Sequence, residues 1–407
     1  MLRVSSGSHI VTILGLIGIV GEIPQQSLYL LGSEQTVKRV VSKMLEEQEY
    51  ENAITKERIM CRAISKNGEG SKKTLRITAK GKILLSWIGL LKNYEDITYG
   101  TNLSFEDTHV LRNHKLAEVV MMLYRAGVTV DPNLTKPLKP FSMQANENLI
   151  QYPSFYSSRT LKNVNEGESV KLKYILTLGA VMTKHCCYSV YNTRNEPMRW
   201  NGEGEGKASY LIGSIASHNS SLKWNTSCIM FANNGQVVLD SIKQSRVKRS
   251  VKGTNGRWYK EAPVSIIDMY YGVHFVPLDE NGIRLLRILF TEDCREKMTE
   301  IFFSKEEMKH SYNNFDAIKD GKLFFNHLDS NMEKLVRLYG YMTFHKLTGN
   351  ILCYDFQLSY LQAYFGNRAS YYVCKLDVIE ERLGLKKWQN TRRLRISRRA
   401  KARRHFS

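Results

Sequence analysis

The sequence lacks most of the short motifs that identify enzymes and metal sites. Its seven cysteines include the vicinal pair Cys186 and Cys187, but no second Cys or His cluster gives zinc-finger spacing. None of the ten histidines forms an H-x-H pair of the relaxase type, and no G-x-S-x-G segment occurs. An odd number of scattered cysteines is typical of reduced, buried thiols in a cytoplasmic protein. We therefore predict a cytoplasmic location and assign no catalytic residue, metal or cofactor.

A complete phosphate-binding loop is also missing. The glycine-rich segment that begins at Asn201 would need Gly at that position and Ser or Thr where Ala208 stands. Glu203 and Glu205 would place negative charge beside the phosphates that such a loop must hold. We therefore predict a flexible turn before a helix over residues 207–216.

One carboxylate leaves a nuclease open as an alternative. Asp355 follows the strand-like run Ile351–Tyr354, which is a suitable place for a Mg²⁺ ligand. Gln357 stands where such a site would prefer a lysine. The competing interpretation is that Asp355 caps a helix beginning at Phe356.

Long apolar runs are absent as well. The longest candidate, Ile10–Val20, is too short to span a bilayer, and no A-x-A-like cleavage site follows it. This run predicts a buried helix, and we expect no membrane partner.

Acidic residues are scarce, and the resulting positive charge is unevenly distributed. The chain has 59 Lys and Arg against 39 Asp and Glu, a net charge of +20. Residues 386–407 contain ten of the basic residues and no Asp or Glu, so half of the excess lies in this tail. Such a tail is typical of an arm that binds a polyanion. Its candidate DNA contacts are Arg392, Arg393, Arg395, Arg398 and Arg399.

The segment after Gly32 predicts an amphipathic helix with a polar face suited to a DNA groove. Ser33 is a good N-cap residue, and apolar residues recur at helical spacing from Val37 to Leu45. This stripe would face a core and leave the opposite face for phosphates and base edges. The candidate contacts on that face are Gln35, Lys38, Arg39, Ser42 and Lys43.

A hairpin with a lysine-rich tip is predicted next. The runs Arg58–Ala63 and Thr74–Ile77 flank a turn-rich segment in which Asn67 and Gly68 mark a chain reversal. Two helices, Ile10–Val20 and residues 24–31, are predicted upstream, so the order of elements is that of a winged helix. Lys66, Lys72 and Lys73 would provide the phosphate or minor-groove contacts of the wing.

The remaining sequence predicts an α/β protein. A closing helix is expected at residues 83–91, a polar connector at 94–102 and a further helix from Ser104 to Gly127, before a proline-containing linker. From about Lys171, strand-like runs alternate with helical ones. The predicted organisation is a winged-helix domain at 1–92, a helix and linker at 103–165, a mixed α/β domain at 170–384, and a basic tail at 385–407.

Several blocks give the chain a resemblance to a known family. It resembles the replication-relaxation proteins of bacterial plasmids and conjugative elements over roughly residues 9–230, with weaker similarity farther along. The blocks are Thr74–Lys82, Arg112–Glu118, Phe155–Ser158, Val190–Thr193, Met198–Trp200 and Cys353–Gln357.

The resemblance implies an N-terminal winged helix, a nuclease-type α/β second half, and a role in replication or DNA relaxation. The Arg-Pro-Asp segment of many members is missing here, so it implies no catalytic acid. We expect an accessory protein that binds double-stranded DNA and acts in replication, relaxation or conjugative transfer, with a relaxase or replication protein as partner. The alternatives are a Mg²⁺-dependent nuclease centred on Asp355 and a transcriptional regulator of the element.

Overall fold

The computed structural model describes residues 1–99, 107–144, 152–164, 176–220, 222, 226–247, 249–252, 258–261, 264–308 and 314–388. The five arginines predicted as DNA contacts in the tail lie outside these ranges. Contacts divide the described chain into two compact units, residues 1–136 and residues 137–388. Both contain helices and sheets, so the predicted mixed α/β class is confirmed. Within the described ranges, none of the helices has the length and apolar character needed to cross a membrane.

The N-terminal unit contains six strands, five α-helices and two 3₁₀ segments in the residues described. They are β1 Leu2–Val4, α1 His9–Val20, β2 Ile23–Pro24, a 3₁₀ helix Gln25–Leu31, α2 Glu34–Leu45, β3 Gln48–Asn52, β4 Arg58–Cys61, β5 Ile64–Asn67, a 3₁₀ turn Gly70–Lys72, β6 Thr74–Ile77, α3 Lys82–Trp87, α4 Leu91–Tyr99 and α5 Asp107–Ala126.

The apolar run near the N-terminus forms the buried helix α1. The Ser8 hydroxyl accepts a hydrogen bond from the Val11 backbone N–H (3.3 Å) and so caps the helix. Gly21, with φ of 90°, ends it, and its N–H donates to the Ile17 carbonyl (2.7 Å). Nearly every residue between these two caps is buried, as expected of a core helix.

Two small sheets complete the unit, and one strand differs from the prediction. In the first sheet the order is β2-β6-β5, and both pairings are antiparallel. In the second, β3 pairs parallel with β1 and antiparallel with β4. The predicted run Arg58–Ala63 is therefore wrong as the partner of β6: its first part pairs with β3, and Ile64–Asn67 forms the hairpin with β6.

The predicted polar connector after residue 93 is also wrong in its described part. Residues 94–99 belong to α4, where Tyr94 is buried beneath polar neighbours that face solvent.

The second unit contains eleven strands and ten helices in the residues described. They are β7 Ser154–Ser157, α6 Ser158–Val164, β8 Gly179–Met182, β9 Cys187–Arg194, α7 Gly202–Asn219, β10 Thr226–Ala232, α8 Gly235–Ser245, β11 Arg249–Lys252, β12 Trp258–Glu261, α9 Ile266–Met269, β13 Val273–Pro277, α10 Glu280–Leu289, α11 Cys294–Phe302, α12 Lys305–Met308, β14 Ala317–Lys319, β15 Lys322–Asn326, α13 Met332–Phe344, β16 Gly349–Tyr354, a 3₁₀ turn Asp355–Gln357, α14 Leu358–Phe365, a 3₁₀ turn Gly366–Arg368, β17 Ala369–Cys374 and α15 Leu376–Arg382.

The same connectivity occurs twice in this unit. In the five-stranded sheet, β13-β10-β9-β8-β7, the hairpin β8–β9 is followed by two parallel strands, β10 and β13, reached through α7 and α8. In the four-stranded sheet, β14-β15-β16-β17, the hairpin β14–β15 is followed by parallel strands β16 and β17, reached through α13 and α14. One hydrophobic core includes Met230 and Phe275 from the first sheet and Phe325 and Ile351 from the second.

The glycine-rich segment before residue 207 is helical, so the predicted flexible turn is wrong. The Asn201 side chain accepts a hydrogen bond from the Gly204 N–H and caps α7, which begins at Gly202. A Cβ at Gly202 would lie 2.7 Å from the Val264 Cβ, so close packing requires glycine there. Glu205 is fully buried, and the hydroxyls of Thr177 and Tyr191 donate to its carboxylate (2.7 and 3.1 Å).

Candidate nucleic-acid interface

Helix α2 has one buried face and one exposed polar face. Val37, Val41 and Met44 are buried in the core of the N-terminal unit, as the apolar spacing predicted. The predicted contact residues all lie on the exposed part of the helix: Gln35, Lys38, Arg39, Ser42 and Lys43.

The cations of this face differ in whether they already form an ion pair within the protein. The Lys38 Nζ lies 2.6 Å from the Glu34 Oε1 one helical turn away, and both side chains are more than half exposed. Arg39 and Lys43 make no ion pair with another described residue. Phosphate or base contact at these two positions would therefore not require an existing ion pair to break.

The hairpin β5–β6 places lysines around its tip. Lys66 and Lys73 are exposed, whereas Lys72 is half-buried. Gly68 has a φ of 75°, and a Cβ there would lie 2.5 Å from the Lys72 carbonyl oxygen. The tip therefore requires glycine at this position, which the Asn-Gly pattern indicated.

A buried ionic network fixes the base of this hairpin. Both Nε and Nη2 of Arg76, on β6, lie 2.8 Å from the Glu22 Oε2, and the Thr74 hydroxyl donates to the same oxygen (3.2 Å). The Asn113 side-chain amide, on α5, donates to the other oxygen, Oε1 (2.9 Å). The Glu22 carboxylate is fully buried, so these donors replace its hydration. The network joins the strand that carries the hairpin to α5.

Helix α5 is a packing element of the same unit. Glu118 is buried, and its carboxylate accepts a hydrogen bond from the Ser27 hydroxyl (2.6 Å). The Arg125 guanidinium donates to the Leu30 carbonyl (3.1 Å), and His114 is fully buried. The sequence block Arg112–Glu118 therefore contributes to the framework of the N-terminal unit and does not supply an exposed contact surface.

A feature that the sequence analysis missed is the acidic segment next to α2. Between the end of the helix and Arg58, the chain contains five glutamates but a single lysine. Glu46 and Glu47 are exposed, whereas the Arg58 guanidinium pairs with Glu51 (3.1 Å). The excess of negative charge in this segment could have been found from the sequence, by counting charged residues over residues 46–57. These residues make the surface of the unit electrostatically uneven.

Several charged side chains of the second unit are buried and paired with one another. The Arg295 guanidinium pairs with Asp329 (Nη1 to Oδ2, 2.8 Å) and with Asp316 (Nη2 to Oδ2, 2.7 Å). Burial acts to raise the pKa of Asp329, but Arg295 and His274 outweigh it and hold that pKa well below its usual range. Burial lowers the pKa of His327 to about 3, so this imidazole is neutral at pH 7. These groups form a structural cluster that joins α11 to the second sheet.

The side chain of Asp355 is exposed at the surface. It is exposed at the start of a 3₁₀ turn whose N-cap is Tyr354, so the prediction that Asp355 caps a helix is wrong. The Gln357 Oε1 instead accepts a hydrogen bond from the Tyr354 backbone N–H (2.7 Å). In the ranges that the structure describes, no group of three or more His, Cys, Asp or Glu side chains is placed to hold a metal ion.

Comparisons with protein-family models, curated proteins and solved structures gave no match to this chain.

Proposed function

We propose that the N-terminal unit is a winged helix that binds double-stranded DNA. The observation that carries this proposal is the exposed polar face of α2 above a buried apolar face, next to the lysine-tipped hairpin β5–β6. The order of α1, β2, the 3₁₀ helix, α2 and the hairpin supports it, as does the pairing of β2 with β6. Helix α2 would enter the major groove, and the hairpin would contact phosphates or the minor groove.

Within this proposal, residues have different roles. Arg39 and Lys43 would contact bases or phosphates directly, and Gln35 and Ser42 would add hydrogen bonds to base edges. Lys38 would exchange its pairing with Glu34 for a phosphate. The arginine-rich tail would add sequence-independent affinity through the release of counterions.

The proposed biological role is that of a DNA-binding accessory protein of a bacterial mobile element. It would act in replication, relaxation or transfer in the cytoplasm, and the second unit would dock a relaxase or replication protein. The sequence blocks named above and the basic charge of the chain support this role. A footprint on the host element distinguishes it from regulation, because a transcriptional regulator would protect a promoter instead of an origin.

Charge reversal on α2 tests the DNA contact. In the full-length protein, we expect Arg39→Glu with Lys43→Glu to weaken duplex binding at least about tenfold, because a lost contact of this kind costs about 1–3 kcal/mol. The salt dependence of binding should also become shallower by about one unit per lost phosphate contact. Fluorescence anisotropy with a labelled duplex from the host element measures both.

The control is Lys92→Glu, which reverses an exposed charge on α4 in the same unit. Binding by this variant should remain close to wild type. Equal weakening by the control and the α2 variant would show a non-specific charge effect and contradict the proposal. Supercoiled plasmid with Mg²⁺ tests the nuclease alternative, which requires nicking that disappears in Asp355→Ala.

A further inference from the structure

The exposed side chains of α2 are arranged in order around the helix axis. The buried residues Val37, Val41 and Met44 together define the direction of the core. Because each residue of an α-helix is turned by about 100° from the one before it, Arg39 lies at about 170° from that direction and Gln35 at about 150°. Both residues are exposed. They form a central row that faces directly away from the core.

Two lysines lie on opposite sides of this central row. Relative to its middle, Lys38 is turned by about 80° to one side and Lys43 by about 60° to the other. Both are exposed. A helix in the major groove faces base edges at the floor of the groove and has a phosphate backbone on each side. The two lysines are thus placed for phosphates of both strands, and the central row is placed for the bases.

The side chains of the central row have no role in the folded protein that would compete with base contacts. Neither Gln35 nor Arg39 forms a side-chain hydrogen bond or an ion pair with another described residue. On the flank, by contrast, the Lys38 Nζ lies 2.6 Å from the Glu34 Oε1. The donors and acceptors of the central row are therefore available to an external ligand.

The chemistry of these two side chains favours purines. A guanidinium presents parallel donors that match the O6 and N7 acceptors of guanine. A carboxamide presents one donor and one acceptor, which match N7 and N6 of adenine. Cytosine and thymine each offer a single polar group in the major groove, so neither can form such a two-point contact. Arg39 therefore matches guanine, and Gln35 matches adenine.

The spacing of the row limits how far apart these two bases can be. Residues four positions apart in an α-helix are separated by about 6 Å along the axis. Successive base pairs of a duplex are about 3.4 Å apart. The two side chains therefore reach base pairs that are one or two steps apart.

We propose that the duplex recognised by α2 contains a guanine that Arg39 reads and, one or two base steps away, an adenine that Gln35 reads. This inference rests on the proposed binding of double-stranded DNA by the N-terminal unit and adds the identity of the bases. Lys38 and Lys43 contribute affinity that does not depend on sequence.

The test begins with full-length protein and a pool of duplexes with a randomised central segment. Bound duplexes should share a guanine and an adenine at the stated spacing. In fluorescence anisotropy with one selected duplex, changing that guanine to adenine, with its complement, should weaken wild-type binding about tenfold. Arg39→Gln should then prefer adenine at this position, and Gln35→Arg should prefer guanine in place of the adenine. A change of preference cannot result from partial unfolding, which would weaken binding to every sequence.

The control variant is Lys43→Gln, which removes a charge from the flank of the same helix. It should bind all sequences more weakly, with a salt slope shallower by about one, and should keep the wild-type preference. Duplex binding without sequence preference, selection of other bases, or an unchanged preference in both Arg39→Gln and Gln35→Arg would overturn this inference and leave duplex binding in place. Failure to bind any duplex would overturn the proposed function as well, so the two failures are distinguishable.

Discussion

Basic residues have opposite surroundings on α2 in the first unit and around Arg295 in the second. On α2 and the β5–β6 hairpin, Arg39, Lys43, Lys66 and Lys73 face solvent above an apolar core. In the second unit, arginines such as Arg295 are largely buried and are committed to carboxylates. Net charge therefore does not locate a binding surface. A cation that already has a buried partner contributes to folding, whereas an exposed one remains available to a polyanion.

The largest expected effect distinguishes a buried cation from an exposed one. Arg295→Leu leaves Asp329 and Asp316 without their cation, and loss of one partner of a buried ion pair costs about 3–5 kcal/mol. Urea unfolding should show a decrease of this size in the free energy of unfolding.

The matched control for this variant is Lys207→Leu. Lys207 pairs with Glu203 on α7, and both side chains are more than half exposed. Because exposed pairs contribute little to stability, this variant should unfold almost as wild type does. Similar losses in the two variants would contradict the assigned difference between buried and exposed cations.

A smaller effect is expected from pH, and it should originate in the second unit. The pKa of buried His327 is about 3, below its ordinary value, so only the unfolded chain takes up a proton there as pH falls below about 6.5. Stability is therefore full above pH 6.5 and decreases toward pH 3. Between pH 7 and pH 5 this group should cost about 2 kcal/mol.

Unfolding of His327→Gln at both pH values checks this origin. The variant should lose less stability than wild type between pH 7 and pH 5, whatever its stability at pH 7. His345→Gln removes an exposed histidine and should keep the wild-type dependence. An unchanged pH dependence in His327→Gln would place the titrating group elsewhere.

The smallest expected effect concerns the buried network of the N-terminal unit. Asn113→Ala removes one donor to Glu22 but leaves the pairing with Arg76, so the loss should be about 1 kcal/mol. Asn133→Ala removes an exposed hydrogen bond to the Gly89 carbonyl and should cost less. If the two variants unfold alike in urea, the network at Glu22 does not fix α5 as described.

Short sequence patterns correctly predicted the elements that are determined by neighbouring residues. The helix α2 follows from apolar residues at helical spacing, and the turn at Gly68 follows from a backbone conformation that glycine favours. The partner of β6 could not be predicted in this way. Arg58–Cys61 and Ile64–Asn67 both have strand-like sequences, and the first of them pairs with the neighbouring strand β3, which the sequence pattern did not predict.

Helix α7 was missed at its start for a different reason. Glycines normally disfavour a helix, but here Gly202 is required by the approach of Val264, and Glu205 is buried by contacts with distant residues. The exposure of the candidate contact residues on α2 could be predicted from sequence. Apolar residues at helical spacing mark the buried face, so the remaining positions face solvent. The cluster around Arg295 could not be predicted, because it depends on which distant segments the fold brings together.

The glutamates that follow α2 have a consequence for the proposed DNA binding. Cations on the helix and anions in the next segment give the N-terminal unit an electric dipole moment. In the field of a polyanion, such a dipole experiences a torque before contact is made. Collisions would then be biased toward productive orientations, and the association rate would fall as added salt screens that torque.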